Sequence, residues 1–314
     1  MRKPTLILAA LTALAAASGA CAQVIDDPEA NVVESLVVQA KLPGPAWWKV
    51  SDGDTTIYVL GIPGSVPQRL DWDTSVLDRR LDGAFVLLTP AVNRTQLADL
   101  PIFLRTRRRL KDGSSLTQVA PDLAARLDRA WNRTHASGDW RDWKPLGAGL
   151  MLAAAARNDA RLTTSQPDRT INRLARKHRV PMRPAAIYEA TPLLEAVVAQ
   201  HSDAAGLACL EGVLDEVEAG PEPIRRAARA WADGDVRGAL AVPRQGERCA
   251  MVLPGVADRL RKSSAAQVEA ISQAMDTPGK AVAIFSLRSL VAQGGVLDTL
   301  RARGFKVTTP ESAN

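Results

Sequence analysis

The chain has 314 residues, 46% of them hydrophobic and 24% charged, with Lys+Arg 40 against Asp+Glu 34 and a formal net charge of +6. This composition supports a sizeable core and excludes a disordered chain, a collagen-like chain and a multispan membrane protein. The positive balance is too mild to argue for nucleic acid.

Arg2 and Lys3 stand before an apolar run over residues 6–17, and Ser18, Gly19, Ala20 and Ala22 follow it. Charge, an apolar run too short to span a bilayer, then small residues is the order of a secretory signal. Ala20-Cys21-Ala22 places the expected cleavage after Ala22, which predicts a periplasmic or secreted protein starting at Gln23 with a formal charge of +4. Lipidation of Cys21 is the rival reading, but Ser18-Gly19-Ala20 lacks the leucine usual before such a cysteine. Residues 23–46, acidic and then rich in small residues and proline, read as a flexible leader, with 32–38 as a candidate edge strand.

Trp47 to Ser51 and residues 55–60 face each other across Asp52-Gly53-Asp54, the pattern of a β-hairpin. The second strand runs into Gly61-Ile62-Pro63-Gly64, a loop at a strand's carboxyl end, where α/β folds place ligands. A helix over 72–81 and an apolar strand over 84–88 follow. Apolar spacing near 3.6, with caps or proline at the ends, predicts helices over 115–127, 146–157, 168–177, 191–200, 204–218 and 223–231. The chain then returns to strands at 280–286 and 305–309, with a helix over 295–303 between them. The expected architecture is an α/β domain over 47–309, its central sheet formed by N- and C-terminal strands around a large helical insertion at about 115–275, with a loose tail at 310–314.

Among chemistry-bearing residues, Cys209 and Cys249 are an even pair in an exported chain and predict a disulfide closing a loop of about forty residues. His135, His178 and His201 have no metal-ligand spacing and read as solvated side chains. Arg105, Arg107, Arg108, Arg109 and Lys111 form the densest positive patch, either an ordinary solvated segment or a contact for anionic lipid headgroups or an acidic partner. It has no interleaved aromatics to suggest nucleic acid. Trp131, Trp140 and Trp143 surround a polar segment and read as packing at helix ends.

The run Trp47-Trp48-Lys49-Val50-Ser51-Asp52-Gly53-Asp54 through Leu60-Gly61 resembles the opening of the TraB/GumN family, "W-x-V-S-x-G-D-S-x-V-x-L-L-G-T-x-H". Ile187-Tyr188-Glu189 is similar to its "G-L-E-T" strand end, and Trp231-Ala232-Asp233-Gly234-Asp235 to its "W-x-x-G-D" helix end. Gly294-Gly295-Val296-Leu297-Asp298 through Phe305-Lys306-Val307 resembles its terminal "G-G-V-L-x-x-L-R-x-x-G-Y-x-V".

The resemblance implies a Tiki-like, erythromycin-esterase-like fold in which two G-x-x-H loops and nearby glutamates hold a divalent metal for peptide hydrolysis. In this chain the first histidine position holds Gly64 and the second Ser289, while the glutamate expected after the second strand falls near Leu88; only Glu189 matches. The implied cleft is lined by Gly61, Gly64, Glu189, Ser286, Arg288 and Ser289, with no metal, no cofactor and no assigned catalytic residue. Arg288 is a candidate clamp for a carboxylate or phosphate. The sequence therefore predicts a catalytically degenerate relative of metal-dependent hydrolases that acts as a binding or envelope-structural protein, with a small molecule or an envelope protein as its partner. The alternative is an active peptidase- or esterase-like hydrolase with a rearranged site around Glu189.

Overall fold

The computed structural model describes residues 26–310 except 97, 98, 112–115, 165, 201, 202 and 252. The expected signal lies outside the described residues, as do His201 and all of the tail except Pro310.

The first strands, β1 (Trp47–Ser51) and β2 (Thr55–Ile62), pair antiparallel as the sequence predicts. The Asp52 carboxylate closes their turn by accepting the backbone N–H of Asp54 at 3.3 Å and of Thr55 at 2.9 Å. In chain order there follow β3 (Val66–Pro67), α1 (Ser75–Leu81), β4 (Leu87–Thr89), β5 (Val92–Arg94), α2 (Leu100–Leu110), α3 (Leu116–Val119) and α4 (Pro121–Arg133). Then come α5 (Pro145–Asp159), β6 (Leu162–Thr163), α6 (Gln166–Lys177), β7 (Met182–Pro184), β8 (Ile187–Glu189), α7 (Thr191–Gln200), α8 (Asp203–Ala219) and α9 (Glu222–Ala232). The last elements are α10 (Val236–Leu240), α11 (Gln245–Met251), α12 (Val256–Met275), β9 (Gly279–Ser286), α13 (Leu287–Val291), α14 (Val296–Ala302) and β10 (Lys306–Thr308).

The fold is mixed α/β, with a six-stranded sheet in the order β10-β1-β2-β9-β4-β7. β2, β9, β4 and β7 are parallel, and β1 is antiparallel to both of its neighbours. N- and C-terminal strands thus share one sheet, and β2 and β9, far apart in sequence, form its centre. β9 is buried continuously from Ala281 to Phe285, the mark of a strand covered on both faces. Its core includes Trp48, Ile57, Leu60, Leu77, Leu87, Ile271 and Leu300. A second core of Leu127, Trp131, Trp140, Trp143, Leu146, Leu152, Leu210 and Leu214 joins α4, α5 and α8. The three tryptophans pack there as expected, Trp131 donating to the Gly138 carbonyl at 2.9 Å and Trp140 to Asp128 at 3.0 Å.

Several elements differ from the sequence reading for local reasons. The helix expected over 115–127 is divided at Pro121, which cannot donate a backbone hydrogen bond and holds Ala120 at φ −146°. The strand expected over 84–88 is already bonded to β9 at Phe85 and Val86, but β7 joins only alongside β4. Within 115–275 the chain returns to the sheet at β7, whose half-exposed Met182-Arg183-Pro184 has no apolar run to announce it. Residues 26–46, read as a flexible leader, lie along the body. Leu36 and Val37 are buried in its core, and in place of an edge strand a short 3₁₀ turn at Glu34–Leu36 is flanked by single bridges at Val32 and Gln39.

Candidate functional site

Parallel pairing of β2 with β9 sets their carboxyl ends side by side, with Gly61 opposite Phe285 and Ile62 opposite Ser286. From there β2 leaves through Pro63-Gly64-Ser65, and β9 turns directly into α13. Gly61 has to be glycine, because a Cβ there would stand 2.6 Å from Cδ1 and 2.9 Å from Cα of Leu287. Its carbonyl accepts the buried Trp231 indole N–H at 2.6 Å. Trp231 ends α9, Gly234 makes the turn at φ +75°, and the Asp235 carboxylate caps α10 by accepting the Gly238 N–H at 2.9 Å. The Trp231-to-Asp235 motif is thus a brace that fixes the helices to the end of β2.

A cavity of about 750 Å³ opens at these strand ends. Its walls are mostly apolar: Leu146, Leu150, Ala153 and Ala156 from α5, Val213 and Val217 from α8, and Ile224 from α9. Charged residues from the last turns of α4, α5 and α8, among them Arg133, Asp159 and Glu218, also border it, and its polar end at the strands is formed by Gly64, Ser65, Glu29, Glu247, Ser286 and Arg288. Small residues on α5 leave the space. Gly149 lets α5 approach α8 closely, with the backbone of Leu210 only 3.4 Å from where a Cβ would stand.

The polar end rests on a buried ion cluster. Arg244, its side chain 10% exposed, pairs with Asp27, 3% exposed, at 2.8 Å, and its Nε donates to Glu247 at 3.0 Å. It also donates to the Glu29 carbonyl at 3.3 Å. Burial pushes the Glu29 carboxyl above its ordinary value, with Arg244 opposing the shift. Burial likewise lowers Arg288, and the nearby Arg244 charge adds to that effect. For Arg244 itself burial works against the charge, but hydrogen bonds to Asp27 and Glu247 outweigh it and raise its value. Arg288 donates to the Leu240 carbonyl at 2.8 Å. The sequence does not mark Glu29, Arg244 or Glu247: Arg244 reaches Asp27 and Glu29 across more than two hundred residues, and its i,i+3 pair with Glu247 is by itself an ordinary helix-surface pattern.

The cleft candidates divide. Gly64, Ser286 and Arg288 border the cavity, and Gly61 lies behind it as the packing contact described above. Ser289 is buried and faces a separate cavity of about 230 Å³, which Gly294, Gly295 and Glu29 also line. Glu189 is exposed on β8, in register with Arg94 in a separate two-stranded sheet, and is not among the residues bordering either cavity. Of the histidines, His178 approaches Asp78 at 2.9 Å and Asp82 at 3.5 Å, and His135 lies 3.6 Å from Asp159. The positive patch is the second half of α2, where Lys111, just past its end, lies over the Trp143 ring and near Asp142. Cys209 is buried on α8, against which α11 packs; the side chain of Cys249 on α11 lies outside the described residues.

These donors do not fit the divalent metal that the resemblance implies. The carboxylates beside Gly64 are already engaged by Arg244, and a second guanidinium, Arg288, lies in the same wall. Their positive charge opposes a dication. Among the described residues no three of His, Cys, Asp and Glu cluster as ligands.

A sheet joining both ends of the chain, its two paired strand ends opening on one cavity, defines a mixed α/β protein of the class whose ligands sit at strand carboxyl ends. The chain belongs to the TraB/PrgY/gumN family, whose model matches residues 46–309. No curated protein and no solved structure matches it.

Proposed function

We propose that the protein is an exported member of its family in which the metal-hydrolase site has been dismantled and the cavity binds a small apolar or amphiphilic molecule. One observation carries the reading: where the family places metal-binding histidines, Gly64 borders an apolar chamber of ligand size whose polar end is an arginine–carboxylate cluster. The apolar body of a ligand would lie along α5 and α8, with its polar end at Ser286 and Arg288. Export follows from the order of charge, apolar run and small residues over 1–22, and a Cys209–Cys249 disulfide suits that compartment. Supporting the pairing, Cys209 is disulfide-bonded and α11, which carries Cys249, packs on α8. A hydrolase centred on Glu189 gains no support from an exposed carboxylate outside the cavity.

Titration with the neutral dye N-phenyl-1-naphthylamine tests this reading. Saturable fluorescence enhancement is expected, weakened about tenfold or more by Ala153→Trp, which fills the chamber. Absence of binding, or equal binding by a folded Ala153→Trp protein, would overturn it.

A further inference from the structure

Helix α2 has two unlike halves on one exposed face. Leu100, Phe103 and Leu104 follow helical spacing i, i+3 and i+4, and all three are exposed, Leu100 by 58% and Leu104 by 51%. The same face continues one turn on as Arg107 and Arg108, while Arg105 and Arg109, also exposed, lie on the side of the helix away from Leu100. The adjoining flank, carrying Thr106 and Leu110, is buried, and α2 packs on α7. The helix is therefore held to the body while its apolar and basic residues face outward. Lys111 pairs with Asp142, whereas Arg105, Arg107, Arg108 and Arg109 have no acidic partner among the described residues.

We infer that α2 docks the protein on an anionic phospholipid surface. Leu100, Phe103 and Leu104 enter the boundary between headgroups and acyl chains, and Arg107 and Arg108, on the same face, pair with lipid phosphates. Solvent gives three adjacent large apolar side chains no return for exposure, and arginines with no carboxylate beside them call for an anionic surface. A charged bilayer satisfies both, since apolar insertion and headgroup attraction act together at an interface. No helix among the described residues is long and apolar enough to cross a membrane, so the contact is peripheral. It does not depend on what occupies the cavity.

The test is co-sedimentation of protein produced from the full chain with vesicles of phosphatidylcholine alone or mixed with phosphatidylglycerol. Binding is expected only to the anionic vesicles and is expected to weaken as salt rises. Each of these arginines removed should cost about fivefold, so Arg107→Gln/Arg108→Gln should lose about twenty-five-fold. Leu100→Ser/Phe103→Ser/Leu104→Ser should also bind more weakly, with unchanged circular dichroism because these side chains are exposed. Equal binding to neutral vesicles, no vesicle binding, or full binding by either folded variant would overturn the proposal. An acidic protein partner in place of lipid would appear as the second of these results.

Discussion

Glu29 shows how one side chain couples the amino-terminal segment to the cavity. Its carboxyl is held above its ordinary value chiefly by burial, with Arg244 pulling the other way, so the folded chain binds that proton more tightly than the unfolded one. Its contribution to stability is complete below the unfolded value of about 4.3 and is lost as pH rises through the raised folded value. Glu29→Gln removes that dependence. Measured by thermal unfolding, the variant's stability relative to wild type should rise between pH 4 and pH 7, and a difference that stayed constant or fell would contradict this assignment. At this scale little of the site was legible. Gly64, Ser286 and Arg288 could be placed because each lies just past an apolar strand that the sequence announces. Asp27 and Glu29 could not, since their pairing with Arg244 depends on how distant parts of the chain fold back together, and the local Arg244–Glu247 pair does not by itself announce a site.

At the scale of elements, the close approach of β2 to α13 is the joint on which the cavity is built. Gly61→Ala would drive a methyl group into Leu287 and should destabilise the protein by about 1–3 kcal/mol, as overpacking does. Gly53→Ala, with no atom within 4 Å of the new methyl group, serves as the control. Equal midpoints for the two variants in urea denaturation would refute the claim that this contact is tight. The hairpin, β9 and β10 were readable because period-two or continuous apolar runs end at turn residues. Helices α6 to α9 were readable from their apolar spacing and end signals. β7 and the β5–β8 pair were not, because three-residue strands carry too few side chains to show a period. The Trp231-to-Asp235 motif was recognisable as a sequence, but only the fold reveals that it braces β2.

For the whole molecule, N- and C-terminal strands meeting in one sheet followed from the order of elements, and membership of the TraB/PrgY/gumN family accords with that architecture. The chamber between sheet and helices did not follow, since its volume arises from how α5, α8 and α9 lean on the strand ends. The two loops in which the resemblance implies histidines start side by side, yet Gly64 and Ser289 face different cavities and guanidinium groups stand among the carboxylates. The most direct measurement is therefore the zinc and manganese content of the purified protein after incubation with each ion and exhaustive dialysis. Well under about one tenth of an equivalent per chain is expected, because a site already neutralised by arginine gives a dication little to hold. Close to one equivalent retained, and released by Glu247→Ala or Glu189→Ala, would contradict it.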